Sequence, residues 1–372
     1  MKKTALIFAL LAAFKSIVVV ASVSQTAPKI QVALLLDTSN SMDGLIDQTK
    51  AQLWKMVNHL IKAKRGNESP VIEIALYEYG NSNLAAGEGY LRMVNALTTD
   101  VDDISEKLFA LYTKGGEEFC GWAIGSATTS LAWSESNVDM KIIFIAGNEP
   151  FNQGPTDYRN ACTTAQNKSI LINTIFCGNW KEGVRTHWQD GASLGKGLYF
   201  NIDKDRKIEH IPTPYDDTLF ALNRQLNETY IAYGKHGESK LKKQTEQDAN
   251  AANYGKANVS LRTSYKAKGG YRNESWDLID ASEQNPQLIE TLKVEDLPEK
   301  MRLMSTAERK KYIGSKQIER SKIKKQIIDL DTKMQAFLLE KLPKSESTKT
   351  LDKVMLEGLT TQLREHGFEI KP

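Results

Sequence analysis

Val32 to Leu36 is an unbroken aliphatic run that closes on Asp37, after which the spacing of apolar positions changes period. Such a run reads as a strand buried on both faces of a parallel sheet. From Met42 a helical pattern takes over: Leu45, Thr49, Leu53, Val57, Leu60 and Ile61 share one face, and Gly66-Asn67 ends it. Val71 to Tyr77 predicts a second strand, and Gly87 to Ala96 a short alternating edge strand. Val101 to Tyr112 predicts a helix with Ile104, Leu108 and Leu111 on one side. Gly115-Gly116-Glu117-Glu118-Phe119-Cys120-Gly121 then turns into another helix that runs to Leu131. Lys141 to Gly147 is a second strongly aliphatic strand, followed by a loop from Asn148 to Pro155. Thr156 to Asn167 predicts a helix, Ile170 to Cys177 a strand, Trp180 to Asp190 a helix and Lys196 to Ile202 a last short strand. Alternating strands and helices with short connections predict a doubly wound, mostly parallel α/β sheet.

The resemblance to a sheet domain ends near 203, the character changes from Tyr215, and 204–300 reads as a helical and irregular extension. Asp217 to Tyr230 keeps helical spacing, Lys235 to Lys256 is polar with no clear apolar face, and Gly269-Gly270-Tyr271 reads as a break. A long helix begins at Ser305, with Glu308 as its capping-box partner. Ile323, Ile327, Leu330, Met334 and Phe337 alternate by four and three, the spacing of a coiled-coil seam, and Pro343 stops the helix. A second helix from Thr350 to His366 carries Leu351, Met355, Leu359 and Leu363, so 301–372 reads as an α-helical hairpin. Packing back on the chain is the favoured role for this hairpin, and a dimerisation or docking arm is the alternative.

The candidate chemistry lies where the first strand ends. Asp37, Ser39 and Ser41 offer one carboxylate and two hydroxyls, hard donors that suit Mg²⁺, Mn²⁺ or Ca²⁺ better than zinc or copper. A plain capping loop would use the same residues, with Ser41 as a helix cap and Asp37 bonded to nearby amides. Asp-x-Ser-x-Ser between an aliphatic strand and a helix resembles the metal-ion-dependent adhesion site of von Willebrand factor type A (vWA) domains. The resemblance covers 29–203, in its details closer to secreted bacterial members than to integrins. It implies direct metal ligation by Ser39 and Ser41, with Asp37 acting through water. It also places Glu118 where the family has a Thr ligand. The family's last Asp has no counterpart, so Asn148 or Glu149 is the candidate for that oxygen. The resemblance implies non-enzymatic binding of a protein partner whose acidic side chain completes the metal shell. The alternative is an envelope scaffold in which metal only stabilises the loops.

Composition and charge narrow the classes further. Of 372 residues, 41% are hydrophobic and 26% charged, ordinary for a globular chain with room for one α/β domain and a second region. Residues 1–24 resemble a secretory signal, basic at Lys2-Lys3 and apolar from Thr4, with a cut expected near Ser22-Val23-Ser24. That predicts export to the periplasm or surface of a Gram-negative bacterium; an uncut anchor is the alternative, and membrane contact is expected only then. The net charge of +3 rests on Lys2, Lys3 and Lys15, so the remainder is neutral and nothing points to nucleic acid. Cys120, Cys162 and Cys177 are an odd number in an exported chain, and a Cys162–Cys177 bridge is not expected. Cys120 near a helix start, with His187 on the same loop-bearing face, is the one catalytic arrangement to weigh. No hydrolase, metalloprotease or phosphate-loop motif accompanies it.

Overall fold

A computed structural model describes residues 27–202, 211–253, 256–269, 271–341 and 351–370. The predicted signal segment, Gly270 and Pro343 lie outside them. The first half runs β1 (Lys29–Asp37), α1 (Ile46–Leu60), β2 (Ala63–Lys64), β3 (Val71–Tyr79), β4 (Leu91–Thr98), α2 (Val101–Ala110), α3 (Cys120–Ser130) and β5 (Met140–Gly147). It continues with α4 (Tyr158–Asn167), β6 (Ile170–Cys177), α5 (Trp180–Arg185), α6 (Trp188–Leu194) and β7 (Tyr199–Ile202). Six of these strands form one sheet in the order β4-β3-β1-β5-β6-β7, parallel except for the antiparallel edge β4. Leaving out β2, this is the doubly wound order 3-2-1-4-5-6, whose direction of winding reverses beside β1.

The aliphatic run of β1 divides by parity, as the two-residue period of a strand requires. Ile30, Val32, Leu34 and Leu36 join the core beneath α1 and α2, while Ala33 and Leu35 join the core beneath α3 and α4. Asp37 shares the parity of Leu35, so its carboxylate is delivered toward the α3 side at the carboxyl edge of the sheet. The first helix starts later than its spacing predicts. A single 3₁₀ turn, Asn40–Met42, follows the serine loop, and Gly44 takes a left-handed φ of 78° before α1 begins. Trp180 to Asp190, read as one helix, is two, because His187 has φ 72° and breaks the ladder between α5 and α6.

The second half runs α7 (Asp216–Asn227), α8 (Gly237–Asn253), α9 (Lys256–Ala267), α10 (Leu278–Gln284), α11 (Leu288–Thr291), α12 (Glu299–Arg302), α13 (Thr306–Lys341), α14 (Leu351–Glu365) and β8 (Glu369–Ile370). The segment that shows no apolar face in sequence is α8, a helix whose inward residues include the amides Gln244 and Gln247. The Ser305–Glu308 capping box forms: Glu308 Oε2 accepts from the Ser305 N–H at 2.7 Å. Ile323, Ile327 and Met334 are buried, but the main neighbours of α13 are α7, α9, α10 and α11. The main neighbours of α14 are α1 and β7, and β8 pairs with β2. The two helices read as a hairpin thus pack in two different neighbourhoods of the chain. No helix among the described residues is long and apolar enough to cross a membrane.

Candidate functional site

β1, β3 and β5 end side by side, and their three exits build one pocket. Asp37 is fully buried, and its Oδ1 accepts the Ser39 N–H at 2.8 Å. The Ser39 and Ser41 hydroxyls are 2.8 Å apart. Ser41 donates to Asn148 Oδ1 at 2.8 Å, and the Asn148 amide returns a bond to the Ser41 carbonyl at 2.8 Å. Four of the six expected residues are thereby tied into one loop cluster, and Glu118 joins it from the other side. It is buried, it sits two residues ahead of α3, and its charge interacts with Asp37 and its side chain with Ser39. Glu149 is half-buried and lies farther out, felt by Asp37 and Glu118 only through its charge.

Glycines make this convergence physically possible. A Cβ on Gly80 would stand 2.8 Å from both Asp37 Oδ1 and Glu118 Cγ, and one on Gly147 3.0 Å from Asp37 Oδ2. A Cβ on Gly116 would stand 2.1 Å from the Gly80 carbonyl, so the Gly115-Gly116 pair lets the loop bearing Glu118 lie against the end of β3. The Tyr79 hydroxyl fills the space beneath, donating to the Ala146 carbonyl at 3.0 Å. Tyr79, Gly80 and Gly147 were not singled out as site residues in the sequence. A Gly at or just past the end of a strand is the only local signal that two of them carry.

The electrostatics are unbalanced. Burial pushes the Asp37 carboxyl up to about 7, against the lowering pull of the Ser39 N–H and hydroxyl. Burial, and next the charge of Asp37, push Glu118 up to about 7 as well. Asp37 Oδ2 is buried with no hydrogen-bond partner among the described residues; the backbone N–H of Asn148 eases its charge without closing a bond to it. Among the described residues no Lys, Arg or His pairs with Asp37, Glu118 or Glu149. Lys114, the nearest basic residue in the loop, spends its ammonium on Asn83 Oδ1 at 2.7 Å. Among the described residues no group of three or more His, Cys, Asp or Glu side chains is disposed to hold a metal. The donors gathered here differ from that set, being hydroxyls with two carboxylates. A buried unpaired carboxylate oxygen beside a second carboxylate and two hydroxyls, without a counter-cation, fits a hard divalent ion.

The surroundings of Cys120 do not resemble those of an activated thiol. Its thiol is buried against the Tyr79 hydroxyl at 3.7 Å, and burial pushes its pKa well up, away from thiolate character. His187 lies tilted beside Tyr158, with ring centroids 6.0 Å apart. All three cysteines are free and buried.

No protein-family model matches the chain, and no curated protein matches it. Solved structures with similarity include BatB from Bacteroides thetaiotaomicron, at 18% identity over 47% of this chain and 90% of that one, with a TM-score of 0.37. The SpRpn10 VWA domain is 16% identical over 52% of this chain and 95% of its own, also with a TM-score of 0.37. An aerotolerance-related membrane protein from Bacteroides fragilis is 18% identical over 47% of this chain and 92% of its own, with a TM-score of 0.32. By its strand order, its antiparallel edge and the seat of Asp37 at the sheet's reversal point, the first half of the chain is a doubly wound α/β domain, similar in fold to vWA domains.

Proposed function

We propose that this protein is a non-enzymatic, exported binding protein whose vWA-like domain recognises a protein partner through a divalent cation. The residues that would hold the ion are Ser39 and Ser41 by their hydroxyls, Asp37 and Glu118 by their carboxylates, and Asn148 or Glu149 by a further oxygen. Mg²⁺ is the expected ion, with Mn²⁺ or Ca²⁺ as chemical equivalents. When bound, such an ion supplies an electrophilic position that a partner's carboxylate can occupy. The observation that carries this reading is the buried Asp37 Oδ2, next to Glu118, with neither a hydrogen-bond partner nor a basic side chain paired with it among the described residues. Export rests on the apolar, basic-headed segment 1–24.

The test is capture from an envelope extract with the mature protein as bait, in Mg²⁺ and in chelator, with the Asp37→Ala variant beside it. A partner retained only in Mg²⁺ and only by wild type supports the reading. Metal that raises the melting temperature but leaves capture unchanged favours the scaffold reading. Capture equal in chelator and in Mg²⁺ overturns metal-dependent recognition.

A further inference from the structure

The helix leading to the site loop is gripped at its other end by the C-terminal half of the chain, and the grip is made of charge. Asp100, the N-cap of α2, pairs with Lys240 of α8. Lys243 of α8 reaches Asp103 at 2.7 Å and Glu106 at 2.6 Å. Beneath this pair, buried Asp102 receives Arg262 of α9 at 2.8 Å and the Tyr271 hydroxyl at 2.5 Å. Ser105 donates to Gln247 of α8 at 3.2 Å. The face that α8 turns inward is made of lysines, amides and Asp248, which pairs with Arg262 and Lys266 of α9, with Leu241 as its one partly buried aliphatic in the core. An interface of this kind fixes geometry well and resists separation poorly, because each pair regains water and salt when it opens.

The far end of α2 runs straight into the pocket. Lys50 of α1 donates to the Leu111 carbonyl at 2.6 Å, where α2 ends. The next residues rest one after another on the site's own loops. The Tyr112 carbonyl accepts from Asn81 at 3.1 Å, the Thr113 hydroxyl donates to Asp43, and the Lys114 N–H donates to the Thr38 carbonyl at 2.9 Å. Glu118 is four residues farther on. A ten-residue helix is a rigid rod of about 15 Å. We infer that α8 and α9 form a charge-fastened strap which, acting through α2, sets the position of the 112–118 loop and hence of Glu118. Lys240, Lys243 and Arg262 are then positioning residues for the pocket, and loosening the strap loosens the loop. In so far as Glu118 is a metal ligand, this deepens the proposed function. The coupling itself needs no metal, so its failure and that of the metal site are distinguishable.

The experiment is hydrogen exchange on the full-length protein in chelator, comparing wild type with Lys240→Gln/Lys243→Gln, and wild type in low salt with wild type in 1 M NaCl. The double variant spares the buried Arg262–Asp102 pair, so the fold is kept. The expected result is about three- to tenfold faster exchange in both 237–253 and 112–118, with β1 and β5 unchanged, and the same paired response in salt. Acceleration of 237–253 alone overturns the coupling. Equal acceleration of β1 and β5 overturns the strap in favour of global destabilisation, and no acceleration anywhere shows that charge does not hold α8. Mn²⁺ affinity of the double variant is the separate readout: a loss that accompanies a loosened loop supports the link to Glu118, and unchanged affinity despite a loosened loop overturns it.

Discussion

Gly80 and Gly147 close the floor of the pocket, and each is excluded from bearing a side chain for a different reason. Gly80 has φ +79° and faces both carboxylates; Gly147 would drive a methyl to 2.5 Å from the Tyr79 hydroxyl. Either substitution to Ala should cost about 1–3 kcal/mol, read as a lower urea midpoint at unchanged slope. A midpoint within error of wild type would contradict the packing described. Glu118 should behave in the opposite way. Two carboxylates held close in a buried pocket repel, so Glu118→Gln should stabilise the protein in chelator at pH 8 by about 1–2 kcal/mol while weakening divalent-metal affinity. Destabilisation in chelator would show that the charge is compensated already. Asp43, by sequence position a bystander in the following helix, accepts the Thr113 hydroxyl and is no neutral control; exposed Glu88 serves instead. Asp37, Ser39 and Ser41 were legible because one short stretch carries them. Tyr79, Gly80 and Gly147 were not, because their roles exist only after three separate strands end side by side.

The strands were the most legible elements, since burial on both faces leaves an unmistakable aliphatic run in β1 and β5. Element ends and polar elements were less so. His187 breaks α5 from α6 by a backbone angle that no hydrophobic period encodes. The inward face of α8 is specified by its charged partners on α2, so no apolar stripe marks it. Contact between α1 and α14 adds a pH dependence. The His59 ring lies 2.8 Å from the Thr360 hydroxyl; burial, and then the charges of Lys62 and Lys268, lower its pKa to about 4. The unfolded chain binds this proton below its ordinary value of about 6.5, while the folded chain refuses it until about 4. Stability from neutral His59 is therefore complete above pH 6.5 and is lost as pH falls through that window, by about 2 kcal/mol after allowing for partial exposure. Urea unfolding of wild type and His59→Gln between pH 4 and 7.5 should give curves that diverge toward acid, wild type falling faster. Parallel curves would contradict the buried neutral ring.

One core joins the two halves of the molecule. The cluster beneath α1 and α2 also contains Leu219 and Leu226 of α7, Ile327 of α13, and Met355, Leu359 and Leu363 of α14 with Phe368. The division of the chain into a sheet domain and helical remainder, plain in the sequence pattern, is a division of element type within a shared apolar interior. Met355, Leu359, Leu363 and Phe368 are essentially inaccessible to solvent, and uncovering four such side chains costs more than about 5 kcal/mol. That is comparable with the whole stability of a domain. Truncation after Lys341 should thus abolish cooperative thermal unfolding by circular dichroism. A truncated chain that melts like the intact one would show that α14 is dispensable.

The most direct test of the metal-dependent reading is titration calorimetry of Mg²⁺ into chelator-stripped mature protein, with Asp37→Ala and Glu88→Ala as companions. The expected result is one saturable site in wild type and Glu88→Ala, and affinity at least about a hundredfold weaker in Asp37→Ala, because one carboxylate cannot offset the dehydration of a hard cation. Equal affinity in wild type and Asp37→Ala, or no saturable binding to wild type, would contradict it and leave the Asp37 loop as a folded turn at the end of a strand.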